Sequence, residues 1–213
     1  MEFLSQVLDF FLHLDHHLGQ IIARFGTASY LILFLIVFAE TGLVVTPFLP
    51  GDSLLFAAGT FAALGSFDIG LLLLTLAVAA VLGDTVNYWI GHRIGERVFS
   101  GRVRFLREEH LRRTQAFYER HGGKTIVLAR FIPIIRTFAP FVAGVGRMHY
   151  PRFLAYNIAG GVAWVALFTL AGYFFGNIAV VKQNFSLVIM AIILLSVVPI
   201  AVEFFRSRRR EPV

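Results

Sequence analysis

Residues 40–53, with the sequence ETGLVVTPFLPGDS, carry the carboxylates of Glu40 and Asp52 in a segment otherwise apolar enough to lie in a bilayer. A carboxylate at membrane depth is costly and by default indicates a functional site with a charged partner. Proline and glycine together end a helix before it completes a crossing. Irregular backbone at that depth is tolerated only where protein or a water-filled cavity covers it. The stretch therefore predicts a polar cavity at a broken helical hairpin, and the residues that break it are Pro47, Pro50 and Gly51.

The composition is that of an integral membrane protein. The chain has 213 residues, of which 57% are hydrophobic and 15% charged, whereas soluble domains carry about 25% charged residues. It contains no cysteine, so disulfides and thiol chemistry are excluded. The net charge of +6 arises between and after the apolar segments, where membrane orientation and anionic headgroups explain it better than nucleic acid does. We predict no nucleic-acid partner.

The chain start has the pattern of an amphipathic interfacial helix, which we assign to residues 1–27. Leucines and a phenylalanine recur at helical spacing, with polar residues on another face. His13, His16 and His17 resemble a metal cluster only at first sight, because no carboxylate or further histidine lies at ligand spacing with a supporting shell. We predict no metal and no cofactor.

Arm lengths divide the remainder of the chain into hairpins and spans. The return arm 53–64 has only twelve residues, short of the ~20 that a crossing helix needs. We predict a membrane domain over 28–176, followed by a C-terminal transmembrane helix and basic tail over 177–213. The segments of the domain are a re-entrant hairpin 28–65, a span 69–92, a basic loop 93–124, a second re-entrant hairpin 125–148 and a span 152–176.

The basic loop orients these segments. Residues 93–124 hold eight arginines and one lysine against four glutamates, a net charge of +5, and the positive-inside rule places such a loop in the cytoplasm. The basic C-terminus is then cytoplasmic as well. Counting outward, the first hairpin opens outside and the second opens inside. The predicted fold is an all-α integral membrane protein with an inverted repeat, whose substrate site lies near the midplane.

The two hairpins carry opposite charges. Glu40 and Asp52 lie in the first hairpin, and Arg130 and Arg136 lie in the second, which Pro133 and Pro140 break. Arginine binds phosphate or carboxylate bidentately, and a buried carboxylate can take up a proton. Exchange of the arginines between carboxylates and an anionic headgroup is the favoured reading. A static salt-bridge cluster that fixes the hairpins is the alternative.

Four further residues are candidates for lining the cavity. Asp84 and Asn87 lie one turn apart on one face of the span 69–92, and helix–helix hydrogen bonding is their alternative role. Ser53 and Thr137 each follow a charged residue of the predicted site, and Ser53 also fits a helix N-cap. Asn157 reads as an interfacial or packing residue.

These motifs resemble the DedA family of bacterial inner-membrane proteins, within the wider group that shares the VTT (SNARE-associated) domain. The resemblance covers residues 28–176. It rests on Glu40, the run 47–53, Gly83, Asp84, Tyr88, Gly91, Arg130, Pro133, Arg136, Thr137, Ala143, Gly144, Met148, Asn157 and Trp164.

The resemblance implies transport of a membrane lipid. DedA-like proteins are linked to translocation of undecaprenyl phosphate and to the proton-motive force, and eukaryotic relatives scramble phospholipids. The family's embedded acidic pair falls on Glu40 and Asp52, and its essential arginines fall on Arg130 and Arg136. The implied partners are membrane lipids, above all a polyprenyl phosphate, and protons, with a second copy of the chain as a candidate.

Other functions compete with a lipid flippase. The same carboxylates suit a proton-coupled ion or small-solute antiporter, and the fold suits a less specific phospholipid scramblase. A lipid phosphatase needs a nucleophile or metal set, and no such constellation occurs at workable spacing. We therefore expect a transporter and not an enzyme. A non-transporting scaffold would leave the intramembrane charges with no role beyond pairing.

Overall fold

The computed structural model describes residues 14–43, 51–99, 123–184, 187–188 and 190–192. Every regular element in these ranges is helical. The elements, numbered here in chain order, are α1 (Leu14–Phe25), a 3₁₀ turn (Gly26–Ala28), α2 (Ser29–Gly42), α3 (Gly51–Ala63), α4 (Ile69–Phe99), α5 (Lys124–Ala129), α6 (Pro133–Val145), α7 (Tyr150–Phe175) and α8 (Ala179–Gln183).

Among the described residues, three helical stretches are long and apolar enough to cross a membrane, which confirms the class of helical membrane protein. They are His17–Gly42, Ile69–Ile94 and Tyr150–Phe175. The second covers the predicted span 69–92, and the third covers the predicted span 152–176 except for its last residue. The first begins well before the predicted arm at residue 28 and contains the turn at Gly26, where φ is +52°. The re-entrant course of the hairpins and the inverted repeat stay predictions.

The structure moves two predicted boundaries. Helix α4 continues to Phe99, so the predicted basic loop begins as helix. The break of the second hairpin falls before Pro133, which opens α6 where a missing N–H costs no hydrogen bond. Pro140, predicted to break the hairpin, instead lies inside α6, since membrane helices tolerate proline when neighbouring groups satisfy the freed carbonyl.

Several predicted features lie outside the described residues. They are the start of the N-terminal helix before Leu14, Pro47 and Pro50, most of the basic loop, and the C-terminal helix and tail beyond residue 192.

The chain divides into two compact units. Unit 1 comprises Met1–Leu33, Pro50–Thr75 and Val165–Val213, and unit 2 comprises Phe34–Leu49 and Leu76–Trp164. The apolar helices α2, α4 and α7 each contribute residues to both.

Unit 1 is built on a backbone-to-backbone contact between α3 and the second half of α7. A Cβ added at Gly59 would lie against the Thr169 carbonyl, and one added at Gly172 would lie against the Phe56 carbonyl. The Thr60 hydroxyl lies within donating distance of two carbonyls, that of Phe56 at 3.1 Å and that of Gly172 at 3.2 Å. Small residues at such crossings let membrane helices approach closely.

Unit 2 repeats this arrangement with different helices, α6 and the second half of α4. A Cβ at Gly144 would lie against the Tyr88 carbonyl, and a Cβ at Gly91 would lie against the Phe141 carbonyl. In both units a short helix carries Phe-x-x-Gly, and its glycine meets a carbonyl three residues before the glycine of the long helix. The same local contact therefore occurs twice in the chain.

The core of unit 2 lies beside this crossing. Tyr88 stacks on Phe153 with ring centroids 4.5 Å apart, and its hydroxyl donates a hydrogen bond to the Met148 carbonyl. Its buried residues are Tyr88, Ile126, Ala129, Ala139, Ala143, Met148 and Phe153.

The change Gly144→Ala tests the crossing of unit 2. We expect it to destabilise the protein by about 1–3 kcal/mol, because the added methyl forces two backbones apart in a filled interior. The measurement is the Tm of detergent-solubilised protein. Gly19→Ala is the matched control, since a Cβ there makes only ordinary contact with the Phe61 ring, 3.5 Å away. Equal Tm values for the two variants would contradict the close approach of α4 and α6.

Candidate functional site

Unit 2 contains a buried ion pair between Glu40 and Arg136. The Arg136 Nη2 donates to the Glu40 Oε1 over 2.5 Å, and the side chains of Arg136 and Glu40 are 3% and 1% exposed respectively. Glu40 lies in the last turn of α2 and Arg136 in the first turn of α6. A helix dipole disfavours an anion at its C-terminus and a cation at its N-terminus. Pairing therefore offsets an unfavourable position for each charge.

Trp164 covers the guanidinium of this pair. The Arg136 Cζ lies 4.6 Å from the centroid of the Trp164 ring, within the range of a cation–π interaction, which strengthens when both groups are desolvated. Trp164 is fully buried. Arg136 thus has a carboxylate on one nitrogen and an aromatic face against its plane.

A second buried ion pair joins Arg130 to Asp84. The Arg130 Nη2 donates to the Asp84 Oδ2 and also to the Asn157 Oδ1. Asn157 is oriented for this role because its Nδ2 donates to the Val81 carbonyl at 3.0 Å. Arg130 comes from the turn between α5 and α6, Asp84 from α4, and Asn157 from α7.

Two adjacent glycines of α7 accommodate the Arg130 side chain. A Cβ at Gly160 would lie 3.2 Å from the Arg130 Cδ, and one at Gly161 would lie 3.3 Å from its Nη1. These distances are shorter than most real Cβ contacts. The glycine pair therefore allows a long cationic side chain to lie directly against the helix backbone.

The Arg130–Asp84 pair leaves polar atoms unmatched. Within the part of the chain that the structure describes, the buried Arg130 Nε and Nη1 and the Asp84 Oδ1 have no hydrogen-bond partner. Buried polar groups are nearly always hydrogen-bonded, and an exception needs a specific explanation. Arginine has five N–H donors, and here only those on Nη2 are used.

Asn87 ties together the helices that carry the first ion pair. Its Nδ2 donates to the Thr41 carbonyl at 3.1 Å and to the Thr137 carbonyl at 2.8 Å. Thr41 follows Glu40, and Thr137 follows Arg136. This geometry gives Asn87 the helix–helix hydrogen bonds that the sequence left open as an alternative.

Gly83 explains how Asn87 reaches α2. A Cβ at Gly83 would lie 2.9 Å from the Phe38 carbonyl and closer still to the Thr41 hydroxyl, so α2 and α4 approach along their backbones. Asn87 lies one turn further along α4. The small residue and the amide thus act together, as small residues and polar side chains do between membrane helices.

Two predicted site residues belong to unit 1. Asp52 and Ser53 are both buried in the first turn of α3, in unit 1. Ser53 is the third residue of that helix, so it is not the N-cap that the sequence suggests. Asp52 lies where a helix dipole favours an anion. The counter-ion of Arg130 in unit 2 is Asp84.

Three contributions escaped sequence reasoning. Asp84 lies in an unbroken span, so nothing marked it as the partner of Arg130. Asn157 is not an interfacial residue but a buried ligand of that arginine. Trp164 follows Gly161 by three residues, and this helical spacing was the available signal that an aromatic ring faces the site.

The helices are long and apolar enough to cross a membrane, and two ion pairs are buried between them. These features define a helical membrane protein with buried charges. The VTT domain matches residues 49–174 of the chain. The chain belongs to the DedA family of VTT-domain membrane proteins.

Several relatives support the assignment. Protein DedA of Escherichia coli strain K12 is 52% identical over 212 residues, covering 98% of this chain and 97% of the relative. An uncharacterised membrane protein of Mycobacterium tuberculosis is 46% identical over 194 residues, with coverage of 88% and 85%. Inner membrane protein YqjA of Escherichia coli is 34% identical over 170 residues, with coverage of 79% and 77%. No solved structure matches the chain.

Removal of one or both charges tests the Glu40–Arg136 pair. We expect Glu40→Gln and Arg136→Gln each to destabilise the protein by about 3–5 kcal/mol, because each leaves a buried charge unpaired. The double variant should be more stable than either single one, since it leaves no net charge. Thermal unfolding of wild type, the two single variants and the double variant gives the coupling free energy between the two side chains. Strictly additive losses would show that the two side chains do not interact.

Proposed function

We propose that the protein moves an anionic isoprenyl lipid, undecaprenyl phosphate or a close relative, between the leaflets of the bacterial inner membrane. Transport depends on protons and supports envelope homeostasis. The observation that carries the proposal is the buried pair of Glu40 and Arg136, a proton-accepting group bound to a phosphate-binding group. The family to which the chain belongs supports the membrane setting.

The proposed cycle rests on competition for Arg136. With Glu40 ionised, the guanidinium is neutralised and binds no other anion. When Glu40 takes up a proton, Arg136 keeps its charge in a dry environment where an unpaired ion is strongly disfavoured. A phosphate group then satisfies that charge, and its oxygens match the planar fork of the guanidinium. Loss of the proton restores the ion pair and releases the lipid.

Trp164 and Asn87 support this exchange. The indole ring holds the guanidinium plane in place while its counter-ion changes, because the cation–π contact does not depend on Glu40. The amide of Asn87 keeps α2 and α6 together through backbone carbonyls, which carry no formal charge to be altered. The exchange is thereby confined to side chains.

Asp52 enters the proposal through the family resemblance. We assign it to a second proton-accepting position in unit 1, where it is buried at the start of α3. Transport by this route changes no covalent bond, so the proposed activity is not enzymatic. The required partners are the lipid, protons and a membrane, with no cofactor.

Reconstituted vesicles test the function directly. We expect wild-type protein to move a labelled polyprenyl phosphate across the bilayer, and Arg136→Ala to reduce that movement to the protein-free level. Arg152→Ala is the control, because Arg152 is exposed at the start of α7. Movement of every phospholipid regardless of headgroup would identify a scramblase, ion flux without lipid movement an antiporter, and release of inorganic phosphate an enzyme.

The role of the Glu40 proton has its own test. Glu40→Gln fixes the side chain in a neutral state, so Arg136 stays available but is not recaptured. We expect slower transport whose remaining rate no longer varies with pH, measured in vesicles against wild type between acidic and alkaline buffers. An unchanged pH profile would show that Glu40 is not the group that makes transport depend on protons.

The proposed orientation places the connection after α3 outside and the loop 93–124 and C-terminus in the cytoplasm. Because the chain lacks cysteine, single substitutions report sidedness cleanly. We expect Ser66→Cys to react with an impermeant thiol reagent from the periplasmic side and Arg152→Cys to react from the cytoplasmic side. Both native residues are exposed. The opposite pattern would invert the topology.

A further inference from the structure

We propose that Asp84 is an internal competitor for the substrate phosphate at Arg130. It neutralises the guanidinium while the site is empty, and the phosphate displaces it on binding. Asp84 would therefore set the affinity of the site and allow the lipid to leave. This inference rests on the proposed lipid-phosphate transport and assigns a role to a carboxylate outside the acidic pair of Glu40 and Asp52.

The contact between Asp84 and Arg130 is incomplete for a buried ion pair. One carboxylate oxygen, Oδ2, accepts from Nη2, while Oδ1 has no hydrogen-bond partner among the described residues. On the arginine, the Nε–H and both N–H groups of Nη1 lack acceptors there as well. A bidentate arrangement, the strong form of this pair, is not made. The guanidinium therefore retains unused N–H donors. An anion with several oxygens, such as a phosphate, fits these donors.

Arg130 stays in place when Asp84 is displaced. The neutral Asn157 Oδ1 accepts from the same Nη2, and the side chain lies against Gly160 and Gly161. These contacts fix the guanidinium without cancelling its charge. Asn157 and the two glycines therefore position Arg130, and Asp84 neutralises its charge.

The local charges favour entry of an anion once Asp84 moves. Arg130 and Arg136 both act electrostatically on Asp84. Removal of its negative charge leaves the Arg130 guanidinium without its counter-ion. A phosphate monoester carries the charge to replace it, which identifies the ligand class as a lipid or soluble phosphate and not a neutral headgroup.

Two substitutions shift the competition in opposite directions. Asp84→Asn preserves the shape and an acceptor oxygen but removes the charge, so we expect phosphate to bind about tenfold more tightly and to leave more slowly. Asn157→Asp adds a carboxylate beside the same Nη2, so we expect weaker binding. A purely structural role of Asp84 predicts loss of affinity in both variants.

Tryptophan fluorescence measures the affinity without transport. The chain has two tryptophans, and Trp89→Phe leaves Trp164 alone, one turn after Gly161 and stacked on Arg136. In this background, farnesyl phosphate is titrated into the full-length protein in neutral detergent. Farnesol controls for the isoprenyl chain, and inorganic phosphate distinguishes a free anion from a lipid headgroup.

The outcomes decide the inference separately from the proposed function. Tighter farnesyl phosphate binding by Asp84→Asn, with a lower half-saturating concentration and a lower maximal rate in vesicles, supports the competitor role. Weaker or unchanged binding by that variant overturns it, as does absence of farnesyl phosphate binding by the Trp89→Phe background. If Asp84→Asn does not fold, unchanged or tighter binding by Asn157→Asp overturns the inference. Binding with these shifts but no transport by wild type would refute the transport function alone.

Discussion

The need to neutralise charge in an apolar interior governs unit 2. Glu40 lies at the end of a helix whose dipole repels it, and Arg136 lies at the start of one that repels a cation. Neither position is favourable unless the other side chain is in contact. The same constraint holds for Arg130, which is fully enclosed and relies on Asp84. A buried pair of this kind is weak evidence for stability, because the cost of desolvating both charges can exceed their attraction.

Glycine makes these pairs geometrically possible. Gly83 brings α2 against α4, and Gly160 and Gly161 let the Arg130 side chain lie along α7. A larger residue at Gly83 would force α2 and α4 apart, because its Cβ would lie 2.9 Å from the Phe38 carbonyl. The crossing at Gly91 and Gly144 holds α6 on α4 in the same way. Small residues thus set the distances between the helices, and at these distances the charged side chains can form ion pairs.

The same Phe-x-x-Gly contact occurs once in each of the two units. In each unit, a short helix meets a long helix through the same backbone contact. The charges are not duplicated with it, because unit 2 holds both ion pairs while Asp52 lies in unit 1. The contact therefore serves packing, whereas the two ion pairs belong to unit 2.

The sequence by itself determined the helical membrane class, the helix break before Pro133, and the choice of Glu40, Arg130 and Arg136 as charged candidates for the site. Composition and helix breakers are local properties, and a charge in an apolar stretch is conspicuous on its own. Partner choice was decided only by tertiary structure. Whether Arg130 meets Asp52 or Asp84 depends on which helix faces cross, and that depends on backbone approach at glycines far apart in sequence. Asp84 attracted less notice because it sits in an unbroken span, and only packing reveals its arginine.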